Sequence, residues 1–262
     1  MRTIAAAIAV GVLLSTAGCG GHGEGEAGGP SEAVRAIQPE AQERAEALVL
    51  TLTDFPDGWR AGPADESDDN SEEGFRRCVG TDFSGLTLIA ETDSDSFAIG
   101  DTAEAGSSAT VFESAQMATD ALEAQAASLE SDEADACMSE YIGNPELEDV
   151  TFGEIEVSPL SFTPPSDVDD ARAWQVVIPI EVTSDESEDV TVTAYLDVVA
   201  LREGDTIATV QTFDLLTPLD QQLRDDLVAA VAGRMTTSSG SQAQGGMPVV
   251  SPHDPRHRPV VA

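Results

Sequence analysis

The sequence predicts an α+β fold in which helices pack on one face of an antiparallel β-sheet. The predicted elements run helix, two strands, helices, four strands and a final helix, so the helices cannot all lie between successive parallel strands. The strands near the C-terminus also follow one another across short turns, as in an antiparallel meander. Both observations favour antiparallel pairing.

Residues 1–18 have the composition of a targeting segment. Arg2 supplies a positive charge, and residues 4–14 form an apolar run that is too short to span a bilayer. The Thr16-Ala17-Gly18-Cys19 sequence that follows resembles the lipobox of bacterial lipoproteins. This resemblance implies that the thiol of Cys19 carries a diacylglyceryl group, and two or more acyl chains hold a protein stably on a membrane. The alternative is ordinary secretion with a free Cys19.

The chain between lipid and domain is a predicted tether, since residues 19–38 are rich in glycine with scattered glutamate. Apolar residues at helical spacing then predict a helix over residues 39–52. A Pro-Asp-Gly turn ends this helix, and its flanking residues Phe55 and Trp59 are expected to anchor the core. An exposed Trp59 that stacks on a ligand is the alternative.

Residues 65–73 form an acidic loop. A calcium loop of the EF-hand type needs glycine at its sixth position and glutamate at its twelfth. Counted from Asp65, these positions hold Asn70 and Arg76, and a count from Asp68 also lacks the glycine. We therefore expect a solvated loop and no specific metal site.

The middle of the chain contains two short predicted strands, residues 95–101 and 107–113, and then helical patterns. Ser114 is suited to cap the first of these helices. Its apolar stripe consists of Ala118, Ala121, Leu122, Ala126 and Leu129. A second, more polar helical stretch carries Cys137 and Tyr141.

The C-terminal part is mostly strand. The predicted strands cover residues 151–162, 174–182, 190–201 and 206–213. Pro179 cannot donate a ladder hydrogen bond, so we expect its strand to lie at an edge or to be bulged.

The final predicted helix begins with Thr217 as its cap and Pro218 at its first position, and it ends near Gly233. Residues 236–262 are rich in Ser, Gly, Gln and Pro, and we expect them to be disordered. The folded extracytoplasmic domain therefore extends over residues 39–235.

Two cysteines remain once Cys19 is assigned to lipid. An even pair in an oxidising exterior favours a disulfide between Cys78 and Cys137 over free thiols. A loop of this length would contribute about 4 kcal/mol in the chain-entropy model.

The chain resembles actinobacterial envelope lipoproteins over residues 39–235, through the order of its elements. The resemblance rests on the lipobox, Phe55-Pro56-Asp57-Gly58-Trp59, Ala109-Thr110-Val111-Phe112 leading into an Ala-rich helix, Cys137 and the closing meander with its helix. These features are similar to LpqN-like and kinase-sensor-like extracellular domains, which implies a PsbP-like α/β arrangement. The resemblance supplies no catalytic residues.

The formal net charge of −37 excludes nucleic acid as a natural partner, because phosphate binding requires clustered basic residues. All 12 basic residues are arginines, so lysine-dependent phosphate loops and Schiff bases are also excluded. Codon bias in a GC-rich genome and adaptation to salt both favour this composition.

Histidine is confined to the two ends of the chain, at His22, His253 and His257. The folded domain therefore has no imidazole for a catalytic triad or a zinc site, and we expect neither a cofactor nor a metal site. A pair of carboxylates for glycoside hydrolysis is the enzymatic alternative, but the many acidic residues make any such pair uninformative in sequence. We predict a protein that is not an enzyme.

Two functional hypotheses follow. The first is a lipid-anchored module on the outer side of the cell membrane that binds or senses a small apolar ligand, or an envelope protein, between sheet and helices. The second is a structural or interaction lipoprotein with a packed core that acts through its acidic surface.

Overall fold

A computed structural model describes residues 34–62, 85–131, 134, 136, 150–183 and 190–243. These residues form one ten-stranded sheet with three α-helices, so the predicted α+β class is confirmed. The strands are β1 (Val34–Arg35), β2 (Arg60–Gly62), β3 (Thr87–Asp93), β4 (Ser96–Ile99), β5 (Ala103–Phe112), β6 (Val150–Phe152), β7 (Glu156–Pro159), β8 (Asp170–Val182), β9 (Val190–Glu203) and β10 (Thr206–Leu215). The helices are α1 (Pro39–Glu46), α2 (Ala115–Leu129) and α3 (Gln221–Ala243).

The sheet is antiparallel except where β1 lies parallel to β3. Its main path is β1-β3-β5-β10-β9-β8-β6, with β4 also beside β5, β2 beside β4 and β7 beside β8. The predicted meander of β8, β9 and β10 is therefore confirmed. Its second turn consists of Gly204 and Asp205, and Gly204 has a φ of 57°, which a glycine adopts without a steric cost.

Helices cover both faces of the sheet, so the prediction that they pack on one face is wrong. Helices α1 and α3 lie on one face, which we call the α3 face, and α2 lies on the other, the α2 face. Strand β9 shows the reason, since Leu196 and Val198 point to the α2 face while Val199 and Leu201 point to the α3 face. A strand that is apolar on both sides requires a cover on both sides.

Pro179 lies in β8, which is an inner strand, so the edge position among the two predicted alternatives is wrong. Its carbonyl accepts a hydrogen bond from the amide of Gly153 at 2.8 Å, so its backbone faces the side of β6 and β7. The chain leaves the ladder between these two short strands, and the missing N–H of Pro179 falls at that interruption. A Cβ on Gly153 would approach Pro179 to 3.0 Å, so a glycine suits this position.

Several boundaries differ from the prediction. Helix α1 ends at Glu46 and not at residue 52, because the chain turns there and then forms a short 3-10 helix, Leu52–Asp54. Strand β3 was not predicted, and β5 begins earlier than expected, at Ala103. Helix α2 agrees with the prediction, with the amide of Met117 donating to the hydroxyl of Ser114 at 3.3 Å.

Helix α3 is displaced along the sequence relative to its prediction. Asp220 caps it, accepting a hydrogen bond from the amide of Leu223 at 3.0 Å, so Thr217 and Pro218 precede the helix. The helix also continues to Ala243, beyond the predicted end near Gly233. The hydroxyls of Thr236 and Thr237 donate to the carbonyl of Gly233, and such back-bonding lets polar residues remain in a helix.

The prediction that Phe55 and Trp59 anchor the core is confirmed. Trp59 is buried, and the ring centroid of Phe55 lies 4.8 Å from that of Trp59 and 4.6 Å from that of Phe97. Pairs of tilted rings at such distances stabilise a core beyond their buried area. The burial of Trp59 removes the alternative that it stacks on a ligand.

An ion pair between Arg234 and Asp54 joins α3 to the segment after α1. The Nη2 atom of Arg234 lies 2.5 and 2.6 Å from the two carboxylate oxygens, and its Nη1 atom donates to the carbonyl of Val49 at 2.8 Å. Burial alone would raise the pKa of Asp54, but hydrogen bonds from Arg234 and Thr51 outweigh it and hold the pKa below 3.8.

We expect the Asp54→Asn variant to lose about 1–3 kcal/mol of unfolding free energy at neutral pH, because it removes a charged hydrogen-bonded partner of Arg234. Since the folded-state pKa of Asp54 is lowered, its contribution is present above the unfolded-state value. It is lost as the pH falls through the folded-state value. Urea unfolding over a pH series measures this difference.

The matched control is Asp57→Asn in the turn that follows, where the side chain is exposed. This change should alter the unfolding free energy by less than about 0.5 kcal/mol. A difference between wild type and Asp54→Asn that does not shrink in acid would show that the carboxylate charge is not the source of the stability.

Candidate functional site

The site residues that the sequence predicts lie outside the described residues. This applies to the lipid-attachment residue Cys19 and to the cysteine pair Cys78 and Cys137. The acidic loop at residues 65–73 lies outside them as well. The lipid anchor and the disulfide therefore stay predictions.

The α3 face of the sheet carries a row of polar residues across three neighbouring strands. Gln175 of β8, Asp197 of β9 and Thr212 of β10 are register partners and lie side by side. We call these three residues the inner row. Asp197 and Thr212 are each only 2% exposed, so this polar row lies inside the domain.

Arg224, at the start of α3, packs on the inner row and pairs with Asp197. Its Nη1 atom lies 2.9 Å from Oδ2 of Asp197, and Gln175 donates to Oδ1 of the same carboxylate at 2.8 Å. Asp225 accepts from Nε and Nη2 of Arg224 at 3.3 Å. The guanidinium and the carboxylate thus form a hydrogen-bonded ion pair that is excluded from solvent.

This arrangement is suited to fixing a helix and not to moving a proton. Both oxygens of Asp197 accept hydrogen bonds, and an arginine in a protein does not deprotonate. A carboxylate that acts as a base needs a free oxygen facing its substrate. The inner row therefore positions α3 on the sheet.

The next row along the same face is more open, and we call it the outer row. It consists of Val177, Tyr195, Asp214, Ala103 and Ile99, which are register partners across β8, β9, β10, β5 and β4. Val177, Tyr195 and Asp214 are half-buried, and Ile99 is 38% exposed. Arg224 contacts the inner row just after α3 begins. The outer row therefore lies beyond the N-terminal end of α3, next to the loop between β10 and α3.

Asp214 is the ionisable group of the outer row. Burial raises its pKa above 3.8, and the backbone amides of Thr217 and Leu215 lower it in part. Within the described part of the chain, no arginine forms an ion pair with Asp214. Asp214 is therefore a half-buried carboxylate without a cation from these residues.

A second group with a raised pKa is Glu203, at the turn between β9 and β10. Burial raises its pKa, and the negative charge of Asp169 adds to this effect. Asp169 accepts hydrogen bonds at 3.0 Å from Arg202 and from the amide of Gly204, and its side chain is 49% exposed. This carboxylate pair lies on a solvated turn, where the desolvation that glycoside hydrolysis requires is lacking.

The described residues contain no group of three or more His, Cys, Asp or Glu side chains that could hold a metal ion. Nor do these residues include a helix that is long and apolar enough to cross a membrane.

Sequence reasoning missed both rows. The signal for the inner row was available, because Asp197 interrupts an apolar run from Leu196 to Leu201 and a charge in such a run needs a buried partner. The signal for the outer row was not available, because Tyr195 and Asp214 become neighbours only through the register of β9 against β10.

The comparisons with known proteins give two solved structures. No protein-family model and no curated protein matches the chain. The chain is similar to the extracellular domain of PknH from Mycobacterium tuberculosis, with a TM-score of 0.39 and 13% identity, over 79% of this chain and 100% of that one. It is also similar to a putative uncharacterized protein, an Rv0999 ortholog from Mycobacterium smegmatis, with a TM-score of 0.30 and 14% identity, over 73% and 83% of the two chains.

Both neighbours come from mycobacteria, and one of them is an extracellular domain. The resemblance to envelope lipoproteins and to a PsbP-like arrangement stays a prediction.

The Arg224→Met variant should be destabilised by about 3–5 kcal/mol, because it leaves the carboxylate of Asp197 buried without its cation. Urea unfolding followed by circular dichroism measures the loss. The control is Arg172→Met, since Arg172 pairs with Asp170 at 3.5 Å on the surface with its side chain 48% exposed. That change should cost less than about 1 kcal/mol. Equal small losses in both variants would contradict the structural role of Arg224.

Proposed function

We propose that the chain is a lipid-anchored binding or sensing module on the outer side of the cell membrane, without catalytic activity of its own. Its anchor is Cys19, and its ligand site is the outer row of the sheet. The observation that carries the proposal is that this row combines a half-buried carboxylate, a half-buried phenol ring and aliphatic side chains near the N-terminal end of α3. Most binding sites have this mixture of apolar surface and few polar groups.

The chemistry of the described residues supports a module without catalysis. They include no histidine and no cysteine, so they offer neither an imidazole base nor a thiolate nucleophile. Each oxygen of their fully buried carboxylate, Asp197, accepts a hydrogen bond. The chemistry they offer is recognition by contact, charge and shape.

The proposed site differs in position from the site that the sequence predicts, which lies between the sheet and the helices. Small side chains line that layer on the α3 face. Ala109, Ala208 and Ala232 are all at most 3% exposed there, together with Leu227 and Val231 of α3. The helix therefore packs closely against the sheet, and the outer row offers more accessible surface.

The second candidate function is a structural or interaction lipoprotein that binds a partner through its acidic surface. The net charge of −37 favours it, because dense charge of one sign attracts a basic partner over long distances. Screening by salt weakens such an attraction, whereas binding in a desolvated pocket is less sensitive to salt. Salt dependence of binding thus separates the two functions.

The experiment begins with Cys19→Ser in the full-length chain. We expect wild type to fractionate with the membrane and the variant to appear in the medium, because the variant lacks the acylated thiol. Cys78→Ser is the matched control and should remain membrane-bound. Native mass spectrometry of the released variant is expected to show a bound species that denaturation removes.

The two readouts test separate parts of the proposal. A Cys19→Ser protein that stays on the membrane would contradict the anchor. A native mass equal to the bare chain, in the presence of envelope extract and at both low and high salt, would contradict the binding module.

A further inference from the structure

The pairing of Tyr195 with Asp214 is the starting point. The two residues are opposite each other on β9 and β10, and side chains in such a pair have Cβ atoms about 5 Å apart on the same face. Both side chains are half-buried. A ligand that lies over this pair can therefore touch the phenol ring and the carboxylate at the same time.

Asp214 gives the pair a negative charge. Arg224 of α3, which contacts the neighbouring inner row, is held by Asp197 and Asp225 and is only 4% exposed. The chain has no lysine, and among the described residues no arginine pairs with Asp214. An anion would meet repulsion here, whereas a cation would neutralise a carboxylate that is partly removed from water.

The remaining surface of the outer row is aliphatic. Val177 lies beside Tyr195 on β8, and Pro179 follows on the same face. Ala103 and Ile99 continue the row beyond Asp214. Aliphatic walls around one carboxylate do not suit a metal ion, which requires several oxygen ligands. They suit a cation that carries its own apolar groups.

We propose that the outer row binds a small organic cation of the alkylated ammonium class. The cationic head lies over the ring of Tyr195 and against the carboxylate of Asp214, and its alkyl groups contact Val177 and Ile99. A cation over an aromatic face gains about 0.5–2 kcal/mol, more when water is excluded. This inference rests on the proposed binding function and names the ligand class of the same site.

The competing explanation for Asp214 is local. Its side chain accepts hydrogen bonds from the amides of Leu215 and Thr217, and these bonds alone could fix the loop before α3. Asp214→Asn separates the two roles, because the asparagine carbonyl still accepts from those amides while the charge is gone. A loop-fixing role predicts little change in that variant, whereas a cation site predicts lost affinity.

The test uses the full mature chain carrying Cys19→Ser, labelled for two-dimensional amide nuclear magnetic resonance spectra. Tetramethylammonium is the probe, and tert-butanol is a neutral probe of similar size. At about 10 mM, a concentration that detects millimolar affinity, tetramethylammonium should shift the amides of Tyr195, Asp214 and their strand neighbours. The neutral probe should leave these amides in place.

Two variants test the groups that the proposal names. Tyr195→Leu should weaken the probe's affinity about fivefold, and Asp214→Asn about tenfold, as loss of a cation–π contact and of a charge partner implies. Glu123→Gln, on the exposed side of α2, changes the net charge equally and should leave the affinity unchanged. The amide spectra themselves show whether each variant is folded.

Three outcomes would overturn the inference. They are the absence of shifts in the outer row, equal shifts from the neutral probe, and equal affinity in Asp214→Asn and Glu123→Gln. The proposed binding function is tested separately, because its test is the native mass of the protein and not these amide shifts. A bound neutral lipid whose occupancy falls in Tyr195→Leu would support the binding module and exclude the organic cation.

Discussion

The buried ion pair between Arg224 and Asp197 is the constraint on which the α3 face depends. A carboxylate that is 2% exposed is costly to bury without a partner, and Arg224 of α3 is the partner of Asp197. This requirement fixes the position along the strands at which α3 begins. It also decides which row of the sheet lies under the helix and which row lies beyond its end.

The two faces of the sheet consequently differ in character. The α2 face has an apolar cluster that includes Trp174, Val176 and Leu196, beside buried polar residues of β5 and β10 such as Thr209 and Gln211. The α3 face changes along its length, from small apolar side chains under α3 to the inner row and then to the half-open outer row. The residues that stabilise the packing of α3 and the residues that remain accessible thus lie at different positions along one face. A sheet that was covered completely would leave no row accessible to a ligand.

Local patterns in the sequence predicted local structure well. Ser114 caps α2, Phe55 and Trp59 enter the core, and the last three strands form a meander, because each depends on neighbouring residues. The faces covered by the helices, the placement of Pro179 and the meeting of Tyr195 with Asp214 were not predictable. They depend on strand order and register, which long-range packing decides.

A double-mutant cycle on Asp197→Asn and Arg224→Met tests the central constraint most directly. Unfolding free energies of the two single variants and the double variant should give a coupling of about 2 kcal/mol or more, with the exposed pair of Arg172 and Asp170 below about 0.5 kcal/mol. A coupling as small for the buried pair as for the exposed one would contradict the account. Helix α3 would then be held by its apolar contacts alone.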